Sequence, residues 1–351
     1  MTFGPLARIM VLMTGLAERL KLPESVPYPG KHLGLRWRSI MAADAPAVFD
    51  LIRTVEAADD SIRRTGADAV AEMIEGRGGV DWVDAIVGVD VDRKICAVGT
   101  VRVVRTVTDT ANALINAYVH PHWRGRGLGR ALLYWQDGRA RQMLVETFGG
   151  DSQIPASIAN FVDGHKTDRR RLYIAAGFYA KRTFQIMYRD LEGSEQPAPT
   201  HHGYTIRPFV DVSEAAVRDL HMRVFQEHFR PDFRGQWWKE GLREMDARWS
   251  FVACDPDGTA VGYIMTGRPT DRWVATGRTE AYVALLGVDP AHRGYSLSSA
   301  LVDASVAAAA ASGMSRIGLD VDTKNDSNAH GIYEHLGFVD EKAEVYYTID
   351  L

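Results

Sequence analysis

The sequence predicts an α+β fold built twice, each copy a mixed, mostly antiparallel central sheet flanked by helices. Three observations predict it. Two stretches follow one plan, Val119-His-Pro-His-Trp-Arg-Gly-Arg-Gly-Leu-Gly-Arg130 and Val288-Asp-Pro-Ala-His-Arg-Gly-Tyr-Ser-Leu-Ser-Ser299. The offset is constant: Pro121 and Pro290, Arg124 and Arg293, and Arg38 and Arg207 are each 169 positions apart. Apolar residues recur at strand spacing before each loop and at helical spacing after it.

Composition bounds the function. A chain of 351 residues, 46% hydrophobic and 25% charged, suits two soluble domains. The formal net charge of −4 gives no footprint for a nucleic-acid partner. Cys96 and Cys254 fall in different copies, which excludes a disulfide framework and fits a reducing cytoplasm. The apolar run at 9–13 is flanked by Arg8, Glu18, Arg19 and Lys21, too short and too charged to span a bilayer. Residues 1–34 are read as an extension holding a short helix or an early start; no membrane partner is expected.

The elements follow in order. Strands open at 35–38 and 204–207, each leading into a helical stretch, 45–55 and 213–225. Alternation predicts strands at 82–89 and 97–104, matched by 250–254 and 261–265. Asp255-Pro-Asp-Gly258 joins the second pair as a hairpin turn. The strands before the loops span 113–119 and 281–288, and the helices after them 128–145 and 297–311, with Gly313 where a helix stop belongs. Tyr173 and Tyr333 are 160 apart, so the first copy holds nine extra residues (169 minus 160), assigned to a polar loop at 147–168. Glu192-Gly-Ser-Glu-Gln-Pro-Ala-Pro-Thr200 reads as a linker. The predicted domains are 35–192 and 204–351, joined by 193–203.

Each loop follows a strand and opens a helix, the arrangement that points bare backbone N–H groups at an anion. A dinucleotide fingerprint is excluded because Arg130 stands where its third glycine belongs; a Walker loop is excluded because no Gly-Lys-Ser/Thr occurs there.

Arg124-Gly-Arg-Gly-Leu-Gly129 resembles the acyl-CoA-binding motif of the GNAT acyltransferase superfamily, Arg/Gln-x-x-Gly-x-Gly/Ala. Tyr173 to Phe178 and Tyr333 to Phe338 resemble its later motif, a helical Tyr followed by Gly-Phe, and Asn325 matches an Asn frequent upstream of that Tyr. The likeness covers nearly the whole chain after Gly34, twice over. It is similar in organisation to the tandem GNAT proteins, the group that includes mycothiol synthase.

The resemblance implies acetyl-CoA, or another short acyl-CoA, as co-substrate, with no metal. It implies direct transfer to a small-molecule amine in a ternary complex. The expected cofactor residues are Val119, Arg124, Gly125, Arg126, Gly127, Leu128, Gly129 and Arg130, and in the second copy Val288, Arg293, Gly294, Tyr295, Ser296, Leu297, Ser298 and Asn325. Tyr173 and Tyr333 match the family's proton donor to the leaving thiolate. Glu280, opening its strand, is the candidate base or, equally, an ordinary strand-edge charge; the first copy shows no carboxylate within the equivalent strand. Ser296 and Ser298 replace two glycines, and a left-handed Ser296 costs on the order of 1 kcal/mol. The alternative function is a CoA-binding sensor or scaffold. The chain is read as monomer or homodimer. Glu56, Asp59 and Asp60 follow the first helix, where a cationic amine would be drawn, but a solvated acidic turn is the default reading. Trp237 and Trp238, and His221 with His228, are assigned to packing or surface.

Overall fold

The computed structural model describes residues 14–76, 80–107, 109–226, 234–324 and 329–351. In chain order its helices are α1 (Leu16–Arg19), α2 (Ala45–Asp59), α3 (Ala67–Glu75), α4 (Leu128–Phe148), α5 (Thr167–Ala175), α6 (Glu214–Val224), α7 (Arg234–Glu244), α8 (Thr270–Thr276), α9 (Leu297–Ala311) and α10 (Ala329–His335). Its strands are β1 (Arg36–Ser39), β2 (Asp81–Val89), β3 (Ile95–Val104), β4 (Ala111–Val119), β5 (Ala156–Asp163), β6 (Tyr179–Asp190), β7 (Thr205–Pro208), β8 (Phe251–Cys254), β9 (Ala260–Gly267), β10 (Glu280–Val288), β11 (Arg316–Asp322) and β12 (Val339–Asp350). The fold is α+β, and most strand pairs are antiparallel.

Packing divides the chain into residues through Arg182 with Glu344–Leu351, and Thr183–Ala343. The repeat alone put the boundary at 193–203. Strand pairing explains the difference. Residues 184–190 of β6 run antiparallel to β11 in the second unit, whereas 344–350 of β12 run antiparallel to β5 in the first. Which strand a sheet edge recruits is decided by long-range hydrogen bonding, which a linear repeat does not encode. The predicted loop at 147–168 also contains β5, whose inward residues Ala156, Ile158 and Val162 are apolar and buried.

In the first unit β1, β2, β3 and β4 pair antiparallel in sequence order, and β4 then pairs parallel to β5. A parallel neighbour needs a crossover, and α4 supplies it. This helix buries Leu132, Leu133, Met143 and Leu144 against Val101, Ala113 and Ile115 on one sheet face. The other face is covered by α2 and α3 through Val48, Ile52, Val55 and Val70 over Val87 and Val98. Fully burying such aliphatic side chains contributes about 1.5–3 kcal/mol each. Leu16 and Leu20, in and after α1, are buried in the first core, so the described part of the extension belongs to this unit.

One irregularity positions the site. β3 follows β4 along its length to Val119, but β5 follows β4 only from Ala111 to Leu114. Past those residues the two parallel strands stop pairing and leave a split. The second unit repeats this: β10 pairs with β11 only over Glu280–Tyr282.

Candidate active site

A cleft in the first unit forms where the split in the sheet meets the start of α4. Gly125 and Gly127 adopt φ of 75° and 86°, the left-handed region in which a side chain is strained. Gly127 is the residue before α4, and no side chain caps that helix. The first N–H groups of a 21-residue helix are therefore left for an anion, at the positive end of its dipole. Ala117, Val119, Arg124, Gly125, Gly127, Leu128 and Gly129 line the cleft on this side. Leu172 and Tyr173 of α5 line the other, with Asn160 of β5.

Arg124 is held at two points. Its Nε donates to the Val119 carbonyl (3.2 Å) and its Nη1 to Asp59 Oδ1 (2.7 Å), while Nη2 is buried with no protein partner. Asp59 is the last residue of α2 and is 3% exposed. It also accepts from Lys166 (2.6 Å) and Arg169 (3.2 Å), both on the cleft wall. A carboxylate at a helix C-terminus opposes the dipole, so three cations offset it. Burial pushes the Asp59 carboxyl up, but the bonds from Arg124 and Lys166 outweigh it and hold it below the usual range. One buried negative charge thus gathers three positive ones on the wall of the cleft.

Tyr173 is 4% exposed, with its ring edge-on to Phe178 (5.1 Å) and stacked near Tyr347 (6.0 Å). Asn160 Nδ2 donates to its hydroxyl oxygen at 2.7 Å. That bond occupies a lone pair and leaves the hydroxyl proton available to a group in the cleft. Burial raises its pKa, so it stays protonated at neutral pH.

The opposite face of the split is acidic. Glu56 of α2 accepts from the Thr65 amide (3.1 Å) and hydroxyl (2.5 Å), and burial raises its pKa. Asp163 of β5 accepts from the Ile62 amide (3.4 Å) and pairs across the strands with Glu344 of β12. Burial first, then the like charge of Glu344, raises the Asp163 carboxyl. Arg63 pairs with Glu344 at 2.8 Å. Tyr118 of β4 belongs to this face, its phenol pushed up to about 12 by burial and the neighbouring Glu56 charge.

Comparison with known proteins agrees with this geometry. Residues 84–186 match the model described as "Acetyltransferase (GNAT) domain", and 215–338 match "Acetyltransferase (GNAT) family". A mycothiol acetyltransferase of Amycolatopsis mediterranei is 31% identical over 245 residues, covering 66% of this chain and 73% of that one. The chain belongs to the GNAT acetyltransferase family. Another mycothiol acetyltransferase, of Gordonia bronchialis, is 26% identical over 309 residues, covering 85% of this chain and 92% of that one. Two solved structures share the tandem GNAT fold. A GCN5-related N-acetyltransferase from Sphaerobacter thermophilus superposes with a TM-score of 0.69 at 22% identity, covering 94% of this chain and 96% of its own. A tandem GNAT protein from the clavulanic acid biosynthesis pathway gives 0.63 at 17%, covering 90% and 98%. The protein is an N-acetyltransferase that uses acyl-CoA.

Against this GNAT frame the expected residues divide. The first loop gathers Val119, Arg124, Gly125, Gly127, Leu128 and Gly129 with Tyr173 in one cleft. Arg126 is turned over the Trp123 ring at 4.6 Å, and Arg130 is exposed on α4. In the second loop Gly294 and Ser296 are left-handed, at φ of 87° and 57°. Ser296 therefore carries the strain anticipated for it. Arg293 is exposed, and Tyr295 leans against Tyr204 (5.1 Å) and His202 (5.4 Å). Leu297 is buried in the second core, packed near Val288, while Ser298 is half-buried on α9. Tyr333 is buried edge-on to Phe338, its phenol pushed up to about 12 by burial and by Asp320. Asn325 lies outside the described residues.

Glu280 does not have the surroundings of a base. It is fully buried, paired with Arg272 (2.8 Å) and Arg316 (2.7 Å), and Arg316 also holds Glu341 (2.9 Å). A carboxylate clamped by two guanidiniums is engaged as a structural ion pair rather than left free to take a proton. The default reading of Asp59 as a solvated turn also fails, for the opposite reason: its three partners arrive from two distant segments, the glycine loop and the start of α5. Their sequence separations, 65 to 110 residues, kept them out of sight.

In the second unit Trp238 and His221 are buried with Phe209 and Tyr263, and His221 bonds Tyr263 (2.5 Å) and the Arg234 carbonyl (2.7 Å). His228 lies outside the described residues. A groove of about 600 Å³ runs past Asp190, Arg278 and Gly337, but it lacks a helix N-terminus, and Arg278 is paired with Asp190 at 3.4 Å. Among the described residues no group of three or more His, Cys, Asp or Glu is placed to hold a metal. No described helix is long and apolar enough to cross a membrane.

Proposed function

We propose that the first unit is the catalytic one and transfers an acetyl group from acetyl-CoA to the primary amine of a small molecule. One observation carries this reading: the glycine loop, the bare start of α4, Tyr173 and the unpaired ends of β4 and β5 converge on one cleft.

The chain's own residues account for each step. The diphosphate of acetyl-CoA sits on the N–H groups at the start of α4, with Arg124, Lys166 and Arg169 adding charge-assisted bonds. The thioester lies at the split. A main-chain N–H near Val119, at the unpaired end of β4, polarises its carbonyl. The amine approaches from the acidic face, drawn as an ammonium toward Glu56, Asp163 and Glu344. Glu56 or Asp163, each raised above the usual carboxylate range, takes its proton. The neutral amine attacks the thioester carbon directly. The C–S bond breaks, Tyr173 gives its proton to the departing thiolate, and the second proton on the attacking nitrogen passes to the Tyr173 phenolate, leaving a neutral amide and a free thiol. The second unit supports the fold and its loop binds CoA weakly, since Ser296 replaces the second glycine.

The name of the relatives, mycothiol acetyltransferase, makes mycothiol lacking its acetyl group the first acceptor to test. Thiol release from acetyl-CoA is followed with that acceptor and a panel of small amines. Turnover abolished by Gly127→Glu, with the fold intact, supports the first unit. Tight CoA binding with no turnover on any amine favours a CoA-binding sensor or scaffold instead.

A further inference from the structure

Gln136 lies on α4 two turns below the glycine loop, on the face that Gly129 and Leu133 also present to the cleft. Seven residues of helix separate it from Gly129, about 10 Å along the axis. It is fully buried. Its Nε2 donates to the Thr100 carbonyl (2.9 Å) and the Asn116 carbonyl (2.7 Å), so the amide orientation is fixed by two acceptors. Its Oε1 is left buried with no partner. An orphaned buried acceptor destabilises the fold unless something donates to it.

An acyl-CoA carries N–H donors at two places, the adenine amino group and the two amides of the pantetheine arm. With the diphosphate at the loop, as proposed, the arm is the part of the ligand that would enter the cleft past Gly129 and Leu133 toward Gln136. We infer that Gln136 Oε1 accepts a hydrogen bond from a pantetheine amide N–H and so fixes how far the thioester reaches into the split. The inference rests on the cofactor site proposed for the first unit, and it adds a residue that senses the arm rather than the nucleotide. Gln136 touches no reacting atom; it is a positioning residue.

The test compares two ligands by calorimetry, CoA and 3′-phosphoadenosine 5′-diphosphate, which lacks the arm. Gln136→Met is expected to weaken CoA about fivefold and to leave the nucleotide within twofold. Equal weakening of both ligands, or no change in either, would overturn the inference. If Gln136→Met does not fold, a crystal structure of the wild type with CoA decides. A pantetheine nitrogen within hydrogen-bond distance of Oε1 supports the inference, and arm amides bonded elsewhere overturn it. Gly127→Glu serves as control: undiminished binding of both ligands would remove the cofactor site itself, and the Gln136 inference with it.

Discussion

Asp59 Oδ1 lies 2.7 Å from Arg124 Nη1, tying the last residue of α2 to the first residue of the glycine loop. Asp59 and Arg124 are 65 positions apart, and this bond settles how the arginine is presented. Arg124 could otherwise sample many rotamers in solvent. Pinned by Asp59 and by the Val119 carbonyl, it keeps Nη2 buried and unpartnered beside the helix N-terminus.

Replacing Asp59 by Asn keeps the shape and removes the charge that gathers Arg124, Lys166 and Arg169. Breaking a buried pair costs about 3–5 kcal/mol. The three cations are 34%, 17% and 28% exposed, so solvent screens part of that. The expected loss is about 2 kcal/mol in urea unfolding. The sign with pH follows from the lowered pKa: the contribution is present above the ordinary carboxylate value and is lost as pH falls through the lower folded value. The gap between Asp59→Asn and wild type should therefore close in acid. A gap constant down to pH 2 would remove the electrostatic explanation.

Tyr173→Phe removes a proton without removing a ring. Asn160 Nδ2 loses its acceptor, while Phe178 and Tyr347 keep their contacts. The expected kcat loss is at least about 100-fold, the lower range for general acid catalysis. CoA affinity should stay within about twofold of wild type. Tyr333→Phe in the second unit should leave kcat unchanged. If Tyr333→Phe proved the damaging change, the catalytic assignment would pass to that unit.

Legibility in the sequence followed separation along the chain. The loops, their helices and the two tyrosines could be read because each motif is local; α9 was predicted at 297–311 and is found there. The strands before the loops were placed to within two residues at each end. What stayed hidden depends on distant partners. Glu280 looks like a free strand-end acid until Arg272 and Arg316 are seen on it. Gln136 is one polar residue on a helix with many, and only burial separates it from the others. Asp163 and Glu344 are 181 positions apart, brought side by side by β5 and β12, and no spacing rule would join them.

Glu280→Ala tests the structural role. Removing the acid leaves Arg272 and Arg316 close together in a buried site, at an expected cost of about 3–5 kcal/mol. Any loss of activity should follow loss of fold, with the pH dependence of kcat/KM unchanged in the folded fraction. A variant of normal stability with a displaced acid limb would return Glu280 to the reaction.

Glu56→Gln sets stability against activity. The raised pKa of Glu56 means that the folded state prefers its protonated form. Its contribution is fully present below the ordinary glutamate value of about 4.3 and is lost as pH rises through the folded value. Above that folded value the wild type holds an ionised carboxylate where burial opposes it. The amide keeps a carbonyl for the Thr65 amide and hydroxyl but carries no charge. Glu56→Gln should melt higher than wild type at pH 7, with the difference vanishing below pH 4. If Glu56 is the base, kcat/KM should fall at least about tenfold and the acid limb of the wild-type profile should disappear. A variant that is stabilised yet fully active would move the base to Asp163, and Asp163→Asn would then remove the limb.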